Sequence, residues 1–168
     1  GTALDCLGRP NHDTQLYAFA VDSRLMVVDL STGEVVCDRA LDERVTAVAW
    51  SPDSKLLATA DELGSISIRE TKRFEEIEQW RGHRGKVVSL DWSPDAARLA
   101  SAGTEDNSIR IWDTQSGKTA LVIKRRSPVV SVAWSPEGRR LAVMSVDGIA
   151  TILDATAGYT RSALVSSL

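Results

Sequence analysis

Val45-Thr46-Ala47-Val48-Ala49-Trp50-Ser51-Pro52, Val87-Val88-Ser89-Leu90-Asp91-Trp92-Ser93-Pro94 and Val129-Val130-Ser131-Val132-Ala133-Trp134-Ser135-Pro136 are one phrase written three times. Trp50, Trp92 and Trp134 recur at 42-residue intervals. A period of that length marks one supersecondary unit that cannot bury its apolar surface alone and stacks on its neighbours.

Within each unit the apolar residues alternate over short runs bounded by turn residues, the pattern of half-buried antiparallel strands. The third unit is the clearest. Val87 to Trp92 is a strand, Ser93-Pro94-Asp95 a turn, and Leu99 to Ala102 a second strand. Gly103 to Asn107 turns again into Ile109 to Asp113, and Thr114-Gln115-Ser116-Gly117 leads into Thr119 to Lys124. Four short strands in about 42 residues make one blade of a β-propeller. Leu57, Leu99 and Leu141 hold equal places in the second strands, and Val28-Asp29, Arg69-Glu70, Trp112-Asp113 and Leu153-Asp154 end the third ones. Upstream, Thr2 to Leu7, Leu16 to Ala20, Leu25 to Asp29 and Glu34 to Asp38 make a more diverged first unit. The expectation is an all-β chain of four blades, at 1–39, 45–80, 87–124 and 129–165.

The residues Gly82-His83, Trp92-Ser93-Pro94-Asp95, Leu99-Ala100-Ser101, Asp106 and Ile111-Trp112-Asp113 together resemble the signature of the WD-repeat (WD40) β-propeller family. The resemblance is strong from 45 to 154 and weak in the first forty residues. It implies a buried hydrogen-bonded tetrad of His83, Ser101, Asp106 and Trp112. The donor inventory suits such a chain, because an indole N–H can donate to a hydroxyl, the hydroxyl to imidazole, and the other imidazole N–H to a carboxylate. The other blades depart from this pattern. The second has Leu41, Leu63 and Arg69 in place of His, Asp and Trp, and the last has Arg125, Val143 and Leu153 around a retained Asp147. Asp22 keeps the turn position in the first. Only one blade carries the full polar network, so the others are expected to rely on apolar packing.

Composition narrows the function classes. The 168 residues are 43% hydrophobic and 26% charged, an ordinary globular balance, and a net charge of −3 gives no overall attraction to nucleic acid or to an anionic membrane. No apolar run approaches the roughly 18 residues of a membrane span, and the first twenty residues lack a secretory layout. The start at Gly1 reads as a processed or excised sequence. Cys6 and Cys37 fall on the first and fourth strands of one blade, roughly 14 Å apart and beyond the ~7 Å reach of a disulfide. Both are expected to be reduced thiols, which points to the cytoplasm.

Three catalytic or metal readings fail on spacing. Ser101, His83 and Asp106 evoke a hydrolase triad, but their fourth member is Trp112 and no nucleophile elbow accompanies them. Gln115-Ser116-Gly117-Lys118-Thr119 ends like a phosphate-binding loop, yet Trp112 stands where its first glycine is needed and a strand follows instead of a helix. With His12, His83 and two separated cysteines there is no zinc set. No enzyme activity, cofactor or metal is expected.

The family resemblance implies binding through the loops of one face. The fourth-to-first connections carry Arg44, then Arg81, Arg84 and Lys86, then Lys124, Arg125 and Arg126, while Asp61, Glu62, Glu105 and Asp147 occupy the second-to-third turns. Arg44, Arg84, Lys86, Lys124, Arg125 and Arg126 are candidates to dock protein or peptide partners with acidic or phosphorylated segments. The expected function is a non-enzymatic interaction scaffold. The alternative is a regulatory or sensor propeller within a larger signalling protein such as an NTPase, kinase or protease. Closed propellers of this family usually have about seven blades, roughly 290 residues at this period, so four blades are expected to need further blades of a parent chain or a second copy to close the ring.

Overall fold

The repeated Trp-Ser-Pro phrase forms the first strand of three of the four antiparallel sheets in the computed structural model, which describes residues 6–7, 15–156 and 160–166, with side chains over 15–156. The first sheet holds β1 (Cys6–Leu7), β2 (Leu16–Val21), β3 (Arg24–Asp29) and β4 (Val35–Ala40). The second holds β5 (Val45–Trp50), β6 (Leu56–Asp61), β7 (Ser65–Glu70) and β8 (Glu76–Arg81). The third holds β9 (Val87–Trp92), β10 (Arg98–Gly103), β11 (Ser108–Asp113) and β12 (Lys118–Lys124), and the fourth β13 (Val129–Trp134), β14 (Arg140–Ser145), β15 (Ile149–Asp154) and β16 (Thr160–Ser166). In each sheet the strands lie in chain order, the meander of a propeller blade. Residues 2–5, part of the expected first strand, lie outside the described residues, as do His12 and the side chain of Cys6. Cys37 is buried with a free thiol.

The Ser of the phrase explains why β5, β9 and β13 stop where they do. Ser51 Oγ accepts the Leu56 N–H at 2.9 Å and donates to Asp53 at 2.7 Å, and Ser93 does the same with Arg98 at 2.9 Å and Asp95 at 2.6 Å. Ser135 accepts the Arg140 N–H at 3.0 Å. These hydroxyls close a tight turn that the ladder could not satisfy by itself.

The middle strands of the second and third blades are buried on both faces because each of these blades is sandwiched between two others. Leu57 packs toward the first blade with Ala18, Leu25 and Val27, whereas its neighbour Ala58 packs toward the third with Leu90, Leu99 and Trp112. Ala100, Ala102, Ile109 and Ile111 of the third blade meet Val129, Leu141, Val143 and Leu153 of the fourth. Polar ties at the same interval lock the inner strands: Thr46 Oγ1 donates to the Val87 carbonyl at 2.5 Å, the Trp92 indole to the Ala49 carbonyl at 3.1 Å, and the Trp134 amide to Asp91 at 2.6 Å. On the fourth blade Met144, which alternates with the buried Val143, is 41% exposed.

Candidate functional site

Four elements of the third blade bring the tetrad residues together. His83 comes from the β8–β9 connection, Ser101 from β10, Asp106 from the β10–β11 turn and Trp112 from β11. The Trp112 indole donates to Ser101 Oγ at 2.8 Å, Ser101 lies 2.7 Å from His83 Nε2, and His83 Nδ1 lies 3.2 Å from an Asp106 oxygen. With Ser101 as donor to Nε2, Nδ1 carries the proton and gives it to Asp106. Burial holds His83 below its ordinary pKa and the Asp106 charge only partly opposes this, so the ring is neutral. Burial acts to raise Asp106, but hydrogen bonding from Ser108 and the nearby His83 outweigh it, and the carboxyl stays below its usual range. Gly103 makes room, since a Cβ there would run into both Asp106 and His83.

This geometry decides what the Ser, His and Asp can do. Ser101 is fully buried, and the His83 side chain has no exposed surface. A nucleophile must be reached by its substrate, and this hydroxyl already holds an indole on one side and an imidazole on the other. The network is a strut between the turns of a blade.

The equivalent places in other blades are filled differently. In the fourth, half-buried Arg125 stands where His83 stands and donates from Nη2 to the buried Thr151 hydroxyl at 2.6 Å, while Leu153 fills the Trp position. In the second, Arg69 takes the Trp position and is 5% exposed, whereas Leu63 is 60% exposed. Packing at that junction is therefore not wholly apolar, in contrast to the expectation from sequence.

The loop cations divide by environment. Arg44, Arg84, Lys86 and Arg126 are exposed. Lys124 is exposed along its length, but its Nζ donates to the Asp106 carbonyl at 2.9 Å. Arg125 is a tie between blades through Thr151, not a free cation. Arg84 and Lys124 meet Glu105, Asp106 and Arg110 around a depression of about 640 Å³. Arg110 was not singled out by its sequence. It sits two residues before Trp112 on the same strand face, and its guanidinium lies 6.0 Å from the Trp112 ring centroid.

Comparison with known proteins agrees with this architecture. Residues 74–113 match the family described as WD domain, G-beta repeat, and residues 10–93 match the Anaphase-promoting complex subunit 4 WD40 domain. Relatives include the ribosome biogenesis protein YTM1 of Scheffersomyces stipitis, 26% identical over 66% of this chain and 25% of that protein. They also include the pre-mRNA-processing factor 19 homolog 2 of Arabidopsis thaliana, 26% identical over 61% of this chain and 20% of that protein. The COMPASS component SWD3 of Saccharomyces cerevisiae is 30% identical over 70% of this chain and 37% of that protein. The chain thus spans about a fifth to two fifths of the length of these relatives.

Proposed function

From the premise that this chain belongs to the WD-repeat β-propeller family, we propose that it is a non-enzymatic scaffold whose third-blade loops dock an acidic segment of a protein partner. The observation that carries the reading is the meeting of Arg84, Lys124 and Arg110 around one depression on the third blade. Arg110 is oriented by the Trp112 ring beneath it, and a planar guanidinium held in place can grip a carboxylate or phosphate with two hydrogen bonds. Exposed Lys86 and Arg126 extend the basic rim. Burial of Ser101 and His83 supports a structural role for the one constellation that looks catalytic. The names of the relatives, a COMPASS component among them, support a place in a multi-protein assembly. A reducing, cytoplasmic setting is part of the proposal and is supported by the free, buried Cys37.

The test is fluorescence anisotropy with a labelled Glu-rich peptide and its phosphoserine counterpart. Reversing Arg84 and Lys124 to Glu is expected to weaken binding about tenfold or more and to flatten its salt dependence. Unchanged affinity, with the fold intact by circular dichroism, would refute the proposal.

A further inference from the structure

Where two indoles stack between the second and third blades, two arginines stand between the first and second. Strand register fixes the equivalence. Arg69, Trp112 and Leu153 lie opposite Leu57, Leu99 and Leu141, each beside a bulge of the outermost strand. On the outer strand of the preceding blade, the matching residues are Arg39, Trp80 and Ile123, opposite Leu25, Ile66 and Ile109. The three junctions are therefore built on Trp80 with Trp112, on Ile123 with Leu153, and on Arg39 with Arg69. The first is a stack with ring centroids 5.7 Å apart, and the second belongs to an apolar cluster. The third opposes two positive charges, the Arg39 charge acting against that of Arg69.

Hydrogen-bond accounting leaves this junction incomplete. The Arg69 side chain is 6% exposed and has one carboxylate partner, Glu76, at 3.0 Å, itself 39% exposed. Arg69 Nε is buried with no partner, although a guanidinium presents five N–H donors. Arg39 donates to a neutral acceptor, the Arg73 carbonyl, at 3.3 Å. A buried guanidinium N–H without an acceptor is costly until an anion or another acceptor satisfies it. Beside Arg39 and Arg69 is a cavity of about 210 Å³, walled also by Thr59, Ser67, Glu76 and Gln79.

We propose that this cavity between the first and second blades binds a carboxylate, gripped by Arg69 and Arg39 with the neighbouring hydroxyl and amide groups as further donors. The lining selects the charge. Asp42, Glu43 and Asp61 also line the cavity, and Asp61 already accepts the Leu63 and Ser65 amides. These carboxylates in the lining disfavour a dianionic phosphate more than a monoanion. The carboxylate can come from an acidic side chain of a partner peptide, from a chain terminus, or from a free small acid. The inference does not depend on the third-blade surface.

The experiment follows the Arg69 Nε–Hε resonance of the full chain by ¹H–¹⁵N NMR during titration with acetate at constant ionic strength. The resonance is assigned by its loss in Arg69→Lys. A saturable shift is expected, weakened about tenfold in Arg39→Gln, stronger for acetate than for phosphate, and unaffected by charge reversal at Arg84 and Lys124. Absence of a saturable shift, an equal response to chloride, or tighter binding of phosphate would overturn the proposal. Arg39→Gln leaves Arg69 in place, so the test stands even if the Arg69 variant does not fold. A capped peptide with one internal Glu and a Glu-free peptide with a free C terminus separate the sources. Whichever moves the resonance names its source, and acetate acting without either peptide assigns a free carboxylic acid.

Discussion

Replacing Ser101 by Ala removes a single oxygen and strands two buried groups. The Trp112 indole loses its acceptor at 2.8 Å and His83 Nε2 loses its donor at 2.7 Å, and both rings are buried too deeply for water to substitute. Each stranded polar group costs about 1–3 kcal/mol, so the substitution is expected to cost roughly 2–6 kcal/mol. Against a total stability of about 5–15 kcal/mol this is a large fraction. The lost volume is too small to account for it, since a hydroxyl oxygen leaves less void than a methylene. Urea denaturation followed by tryptophan fluorescence measures the change. A double-mutant cycle with Trp112→Phe separates the network from packing: if stranding the indole N–H is part of the cost, Ser101→Ala should be milder by about 1–2 kcal/mol in the Phe background. A cost below about 1 kcal/mol, or additivity within about 0.5 kcal/mol, would refute the reasoning.

Two further outcomes concern the first three blades. Because burial holds the folded-state pKa of His83 below its ordinary 6.5, the unfolded chain takes up a proton first on acidification. Its contribution to stability is thus fully present above about pH 6.5 and is lost as pH falls from there toward the depressed folded value. Urea titrations between pH 7 and 5 should show stability falling by no more than about 1.4 kcal/mol per pH unit from this group, and a flatter profile in His83→Gln, where an identical slope would contradict the assignment. Gly64 has a φ of +93° and a Cβ there would strike the His83 carbonyl, whereas Gly33 has a φ of +75° and open space around it. Gly33→Ala should cost only the backbone term of about 1–2 kcal/mol, and Gly64→Ala distinctly more; equal melting temperatures for the two variants would count against this packing.

The repeat was legible because its signal is redundant. The Trp-Ser-Pro phrase, the alternation and the turn residues all state the same four strands, and the serines that close the Ser51, Ser93 and Ser135 turns are themselves part of the phrase. The tetrad residues of the third blade stood at recognisable spacings for the same reason. The role of Arg125 was not legible. As a loop arginine it resembled its neighbour Arg126, and only the fold places it against Thr151 of the next blade. Arg110 was hidden by its strand, where a single cation among alternating apolar residues carries no motif, and only the fold lays it over the Trp112 ring. Arg39 was the least visible, because its equivalence to Trp80 is a matter of register on an outer strand, and the first blade has diverged most.

Divergence of the junctions carries a functional consequence that the shared fold does not. A propeller needs each blade pair to bury enough surface to stack, and Trp80 with Trp112 or Ile123 with Leu153 meets that need without any ligand. Selection for stacking alone would favour such apolar pairs, since replacing a buried ionic group by hydrophobic residues is often neutral or stabilising. Arg39 and Arg69 do the opposite, and the surrounding core compensates: Leu25, Val27, Leu57 and Phe74 are all buried at the same junction. The junction therefore holds together through its apolar residues while it keeps a buried guanidinium with an unmet donor beside a cavity. A ligand that binds there adds to the stability of the blade pair by mass action, about 2.7 kcal/mol at a concentration one hundred times its dissociation constant. Occupancy of a side pocket would in this way stiffen the stack that presents the loop face, coupling the two surfaces through the rigidity of the first three blades.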